Sequence, residues 1–138
     1  MILTDTGPLI ALLDKRDNHH RRCVDTVKTL PAEPMLTTWP CFTEAMHLLG
    51  AVGGYRYQAV LWKLVEEMKL ELHEPTLSET KTMHKLMKRY QDTPMDLADS
   101  SLVALAEYAK IKHIFTIDSD FYIYRLSDGS MLEVIPHQ

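Results

Sequence analysis

The sequence predicts an α/β fold with a mostly parallel central sheet. Short β-type segments alternate with longer stretches of helical apolar spacing along the whole chain. Prolines and glycines punctuate the crossings between them. No internal repeat, low-complexity tract or linker interrupts this order, and 138 residues fit one domain, residues 1–138.

Ile2-Leu3-Thr4 opens the chain as a short strand that stops at Asp5. Gly7 allows a tight turn and Pro8 suits the first position of a helix whose apolar stripe is Leu9, Ile10, Leu12 and Leu13. Asp17-Asn18 breaks it. A second helix runs from about His19 to Leu30 on Cys23, Val24, Val27 and Leu30. Pro31 and Pro34 end that stretch, and Met35 to Thr38 reads as the second strand. Pro40 opens a helix carrying Glu44, Ala45, Leu48 and Leu49, which Gly50, Gly53 and Gly54 close. Tyr55 to Met68 is a long amphipathic helix on Val60, Leu61, Leu64, Val65 and Met68. Leu70 to His73 is a strand. Ser78 is the expected N-cap of a helix through Met83, Leu86, Met87 and Tyr90. Thr93-Pro94-Met95-Asp96 restarts a helix that runs to about Lys110. His113 to Ile117 is a strand ending at Asp118, followed by a short helix or turn over Ser119 to Leu126. A turn at Ser127-Asp128-Gly129-Ser130 leads into a closing strand, Met131 to Ile135.

Composition narrows the function classes. Apolar residues are 46% and charged residues 25%, which excludes disordered, collagen-like and disulfide-scaffold proteins. Lys+Arg total 15 against 19 Asp+Glu, so the formal net charge is −4. That argues against a protein that coats nucleic acid nonspecifically, which needs many phosphate-neutralising cations. It leaves room for an acidic metal site that handles nucleic acid, because bound cations offset its carboxylates. The N-terminus has no basic region followed by an apolar stretch and cleavage site, and no apolar run approaches the roughly 20 residues of a membrane span. Cys23 and Cys41 belong to no C-x-x-C motif and read as free thiols, so a cytoplasmic location is expected. None of the seven histidines has the H-E-x-x-H spacing of a zinc hydrolase.

In parallel α/β sheets ligands bind beyond the carboxyl ends of the strands. The acids found there are the informative residues. Asp5 follows the first strand. Glu44 lies in the first turns after the second. Asp96 and Asp99, three apart at a helix start, share a face, and Asp118 and Asp120 follow a later strand. In a parallel sheet all of them converge at one end. Carboxylates gathered within a few ångströms repel one another, and a hard divalent cation with oxygen ligands offsets this. The chemistry that follows is phosphodiester hydrolysis by a metal-activated water. Each acid also has a local alternative. Asp5 and Asp96 suit helix caps, Asp99 suits a helix-dipole position, Asp118 and Asp120 suit an Asx turn, and Glu44 suits a solvated helix face.

At these residues the chain resembles a PIN domain, specifically the VapC-type toxins of toxin–antitoxin pairs. Four segments carry the resemblance: Ile2 to Leu13, Thr37 to Ala45, Pro94 to Ala106 and Ile114 to Phe121. Their order and spacing cover essentially the whole chain. The resemblance implies a three-layer α/β/α fold and a Mg²⁺- or Mn²⁺-dependent endoribonuclease. It implies that Asp5, Glu44, Asp99 and Asp118 form an acidic quartet that holds metal, with Thr6 and Thr116 hydrogen-bonding beside it. Asp96 and Asp120 are then auxiliary ligands or outer-sphere groups. The chain departs from the family at Gly7, where a small polar residue is also common. The resemblance further implies an antitoxin partner whose segment covers the site, and a homodimer.

Lys81, His84, Lys85 and Lys88 fall at i, i+3, i+4 and i+7, with Arg89 beside them. A second basic cluster is Lys15, Arg16, His19, His20, Arg21 and Arg22. Both are solvated faces or phosphate-positioning surfaces. From these, Lys85, Lys88, Arg89 and, further on, Arg125 are the candidate RNA contacts; Tyr122 and Tyr124 either stack on an unpaired base or, for at least one of them, pack into the core. Two other function classes stay open on the sequence: a PIN-like module that binds RNA or protein without cleaving, and a Mg²⁺ phosphatase of the D-x-D class. Asp5-Thr6-Gly7 lacks the second acid that the latter needs.

Overall fold

The computed structural model describes all 138 residues. Five strands form one sheet: β1 (Leu3–Thr4), β2 (Met35–Thr38), β3 (Leu70–His73), β4 (His113–Phe115) and β5 (Glu133–Ile135). Six helices surround it: α1 (Thr6–Leu13), α2 (His20–Thr29), α3 (Trp39–Gly53), α4 (Tyr55–Glu66), α5 (Leu77–Arg89) and α6 (Leu97–Ala109). The strand order is β3-β2-β1-β4-β5 and every pairing is parallel. The chain winds outward from β1 to β3, then returns to the other side of β1 with β4. The order therefore reverses between β1 and β4, and a crevice opens where such a reversal occurs, beyond the strand carboxyl ends. Asp5 follows β1 and Asp118 lies three residues after β4, so the topology delivers both acids to that crevice.

The side-chain alternation of the strands divides the core into two layers. Leu3, Leu36, Ile114 and Val134 point to the face covered by α6 and, through Leu86, α5. Ile2, Met35, Phe115 and Ile135 point to the opposite face, under Ala11 of α1 and Cys23 of α2. Leu70 extends that second layer towards Leu9, Phe42, Leu49 and Leu61, from α1, α3 and α4. Helix α6 is buried from Ala98 through Ala106 without a break. Its first turns bury Asp99, Ser100 and Ser101 and its later turns only apolar side chains, which makes it a core element. Each fully buried leucine, such as Leu102 and Leu105, contributes about 1.5–3 kcal/mol. The site at its N-terminus is thus mounted on the most deeply buried helix of the molecule.

Several element boundaries differ from the sequence reading, each for a local reason. Helix α1 starts at Thr6, because Asp5 caps it by accepting the Thr6 N–H at 2.8 Å. Pro8 is consequently the third helical residue, still within the turn whose N–H groups lack intrahelical partners. Gly7 is helical rather than a turn. A Cβ there would lie 2.9 Å from Ile117 Cγ1, so bareness and not turn geometry is what the position requires. Helix α5 is capped by Thr76, not Ser78: Thr76 and Glu79 form a reciprocal capping box. Gly50 and Gly53 lie inside α3, and only Gly54, at φ 69°, ends it. β4 stops at Phe115, where the Asp5 N–H takes the Phe115 carbonyl and α1 turns away. β5 begins only at Glu133. No helix is long and apolar enough to cross a membrane.

Candidate metal centre

Three carboxylates meet in the crevice. Ligand oxygens of Asp5, Asp99 and Asp118 all lie within 4.8 Å of one another. They line a cavity of about 400 Å³ together with Thr6, Gly7, Glu44, Asp96, Ala98, Ile117 and Ser119. Asp5 and Asp99 are 7% and 6% exposed, while Asp118 is half-buried.

Each carboxylate is held by groups that the local fold supplies. Asp5 Oδ1 accepts the Thr6 N–H, and Asp5 Oδ2 accepts the Thr116 hydroxyl at 2.8 Å. The same Thr116 oxygen accepts the Asp118 N–H at 3.0 Å, so one side chain ties the ends of β1 and β4 together. Asp118 Oδ1 accepts the Asp120 N–H at 2.9 Å, which is the Asx-turn geometry. Asp96 caps α6 by accepting the Asp99 N–H at 2.8 Å. Asp99 itself receives a hydrogen bond from the Tyr124 hydroxyl at 2.9 Å. The local readings and the convergent one are therefore compatible: the caps and turns are what place the acids.

The electrostatics follow from the burial. Burial raises the Asp5 carboxyl from 3.8 to about 6, against the lowering effect of its hydrogen bonds, and the Asp118 and Glu44 charges add to the rise. Burial likewise raises Asp99 to about 7, opposed by the Tyr124 hydrogen bond and reinforced by Asp96, Asp5 and Asp118. Glu44 is exposed and shifted upward by desolvation and by Asp96. The neighbouring charges that raise Asp5 and Asp99 are all carboxylates, and neither acid forms an ion pair with a lysine or arginine. Three helices, α1, α3 and α6, start at this end of the sheet, and their N-terminal dipoles offset part of the negative charge. A cluster of oxygen donors short of positive charge is the donor set that hard divalent cations take. The residues present fit such an ion.

The structure brings seven of the eight sequence-derived acids and threonines to this crevice. Asp5, Asp99 and Asp118 form its floor; Thr6, Glu44 and Asp96 line its walls; Thr116 supports Asp5 from below. Asp120 is half-buried and reaches the group through its backbone N–H on Asp118. Thr6 turns its hydroxyl to the Cys41 carbonyl at 3.3 Å rather than to a carboxylate. Among the basic residues, Lys85, Lys88 and Arg89 are exposed on α5. Arg125 is exposed, but its Nη1 donates to the carbonyls of Tyr122, Ile123 and Tyr124. Tyr124 is 3% exposed and packed, so it stacks on no base; Tyr122 is half-buried. Two site neighbours carry no sequence signal. Cys41 is buried with Sγ 4.0 Å from Asp5 Oδ1, and burial pushes its thiol up to about 12. The Tyr124 contact with Asp99 spans 25 positions through an irregular segment, where no periodicity reveals it.

This fold and site define a class. The PIN domain family matches residues 2–126, and the chain belongs to it. Three solved structures share the fold. VapC20 of Mycobacterium tuberculosis, a toxin that cleaves the sarcin–ricin loop, superposes with a TM-score of 0.82 at 18% identity, over 89% of this chain and 94% of that one. A toxin–antitoxin complex from Klebsiella pneumoniae gives 0.68 at 17% identity, covering 88% and 90%. FitAcB from Neisseria gonorrhoeae gives 0.59 at 19% identity, covering 86% and 88%. No curated protein matches the sequence itself.

Proposed function

We propose that this chain is a Mg²⁺- or Mn²⁺-dependent endoribonuclease, the toxin of a toxin–antitoxin pair. The observation that carries the reading is the convergence of Asp5, Asp99 and Asp118 within 4.8 Å, on a PIN fold. Asp5, Asp99 and Asp118 would hold the metal, with Glu44 completing the acidic wall, Asp96 fixing the Asp99 backbone N–H, and the Asp120 N–H holding the Asp118 carboxylate. The bound ion would supply a water of lowered pKa and stabilise charge on the phosphate. The chain's own residues do the rest. Thr116 and Thr6 hold the Asp5 oxygens in a fixed orientation. The N-termini of α1 and α6 flank the crevice, and helix N-termini favour a phosphate anion. Lys85, Lys88, Arg89 and Arg125, all exposed, would meet the RNA backbone away from the acids.

The partner reading rests on the neighbours. One of them is a toxin–antitoxin complex, and this chain would likewise pair with an antitoxin protein. A second copy of the chain is a further candidate partner. VapC20 cleaves RNA, which supports RNA rather than a small phosphate ester as the substrate.

The test is cleavage of total cellular RNA by the purified protein with Mg²⁺, with Mn²⁺ and with EDTA. Discrete fragments that require metal, and that disappear with Asp5→Asn, are expected. Intact RNA from folded, partner-free wild type in either metal would sink the nuclease reading and leave a binding module.

A further inference from the structure

The Asp99 carboxylate differs from that of Asp5 in how it is anchored. Asp5 has a donor on each oxygen, the Thr6 N–H and the Thr116 hydroxyl. Asp99 has one side-chain hydrogen bond, from Tyr124 at 2.9 Å to Oδ2. That donor is itself enclosed. The Tyr124 ring is 3% exposed and sits edge-to-face between Phe121, centroids 5.3 Å apart, and Tyr90, 5.2 Å apart. Tyr90 is fixed in turn, because its hydroxyl accepts the Arg125 N–H at 2.9 Å. Arg125 locks the same turn with its Nη1 on three successive carbonyls. A buried phenol with a single partner is there for that partner, since its hydroxyl would otherwise go unsatisfied.

We propose that Tyr124 is the positioning residue of the metal centre, holding Asp99 Oδ2 so that Oδ1 is directed at the ion. The proposal rests on the reading of the acidic crevice as a metal site. Side chains that fix a ligating carboxylate typically change metal affinity by about 10–100-fold when removed. Tyr124 would thus couple the Phe121–Tyr90 aromatic stack, and the turn that carries Arg125, to the geometry of the acids.

Tyr124→Phe keeps the ring and removes only the hydroxyl. Its Mn²⁺ affinity, measured by calorimetry on the full chain, is expected to fall about tenfold at unchanged stoichiometry. The Mn²⁺ concentration for half-maximal RNA cleavage is expected to rise by the same factor, while KM for RNA at saturating Mn²⁺ stays at the wild-type value. A merely structural role would not produce that split. Phe121→Leu, which loosens the seat of the ring and keeps the hydroxyl, is expected to weaken Mn²⁺ binding in the same direction by a smaller factor; it serves if Tyr124→Phe does not fold. Wild-type Mn²⁺ affinity in a folded Tyr124→Phe, or in Phe121→Leu should that be the variant that folds, overturns the proposal while leaving the metal centre standing. Failure of the wild type to bind Mn²⁺ overturns both.

Discussion

The two ends of the strands are built on opposite principles. At the carboxyl end, a cavity of about 400 Å³ is lined by Asp5, Glu44, Asp96, Asp99 and Asp118. At the amino end, an open groove of about 990 Å³ is lined mainly by apolar side chains, among them Ile2, Leu12, Leu30, Met35, Leu64 and Met68. The larger hollow is the one without chemistry, since its few charged groups pair locally, as the N-terminus does with Glu33 and Lys69 with Glu67. The smaller hollow concentrates buried like charge, which costs stability unless something offsets it. The difference teaches where this fold gives up stability: at the acids, and not in the packing that supports them.

The largest expected effect comes from neutralising one acid. Asp99→Asn should reduce metal-dependent RNA cleavage about a hundredfold or more, beyond the loss that an outer-sphere change produces. The same substitution should raise the stability of the metal-free chain by about 1–2 kcal/mol at pH 8, as measured by urea unfolding, because it removes a buried charge set among carboxylates. Asp5→Asn should gain less. The Thr6 N–H and Thr116 hydroxyl both donate to Asp5, and an amide cannot accept on both sides. If Asp99→Asn destabilised the metal-free protein, the contrast between a strained end and a relaxed end would fail.

Protons should act as the metal does. The Asp5 and Asp99 carboxyls stand at about 6 and about 7 in the fold, against 3.8 unperturbed. Between these values the folded chain holds more protons than the unfolded chain, so stability falls as pH rises. The contribution is full below about pH 4 and is lost as the pH passes through about 6 to 7. The gain from Asp99→Asn should accordingly be full at pH 8, smaller at pH 5 and gone only below about pH 4. In Tm it amounts to a few degrees, about 3–6 °C, for a chain of this size. Saturating Mg²⁺ or Mn²⁺ at pH 8 should stabilise the wild type and leave Asp99→Asn less changed. A Tm difference that did not vary with pH would place its origin in packing instead of charge.

Much of this arrangement is legible in the sequence, and the reason is physical. Asp5 and Asp118 stand just beyond strands and Asp99 in the first turn of a helix, and the alternation that buries Leu3, Leu36 and Ile114 on one face marks the strands. The helices α2, α3, α4 and α6 announce themselves through 3.6-residue spacing and terminal Pro or Gly. What the residues do not announce is contact between remote, irregular segments. The sequence expects one of Tyr122 and Tyr124 in the core, but nothing local says that it is Tyr124 or that Tyr90 and Phe121 enclose it. Ser78 and Thr76 are both cap-forming residue types, and Glu79, three residues after Thr76, makes Thr76 the cap through the capping box. Gly7 reads as a turn residue in sequence, and only the position of Ile117 shows that close approach is what it serves.

The smallest effect is expected at the apolar end, and it sharpens the comparison from the other side. Met68 follows α4 with φ 61°, in the left-handed region. The Lys69 N–H bonds the Leu64 carbonyl and the Met68 N–H bonds the Val65 carbonyl, which is the arrangement that closes a helix and favours glycine at the left-handed residue. Met68 is 79% exposed, so its side chain gives little packing in return for that conformation. Met68→Gly removes the Cβ penalty of about 1–2 kcal/mol and adds unfolded-state entropy that offsets part of it. A net gain of about 0.5–1 kcal/mol in urea unfolding is expected, independent of pH and of Mn²⁺, with RNA cleavage unchanged. The independence is the informative part. A stability gain at Met68 that altered the Mn²⁺ requirement would mean that the two ends of the strands are coupled through the sheet, and that the acids are not a separable charge problem at one end of it.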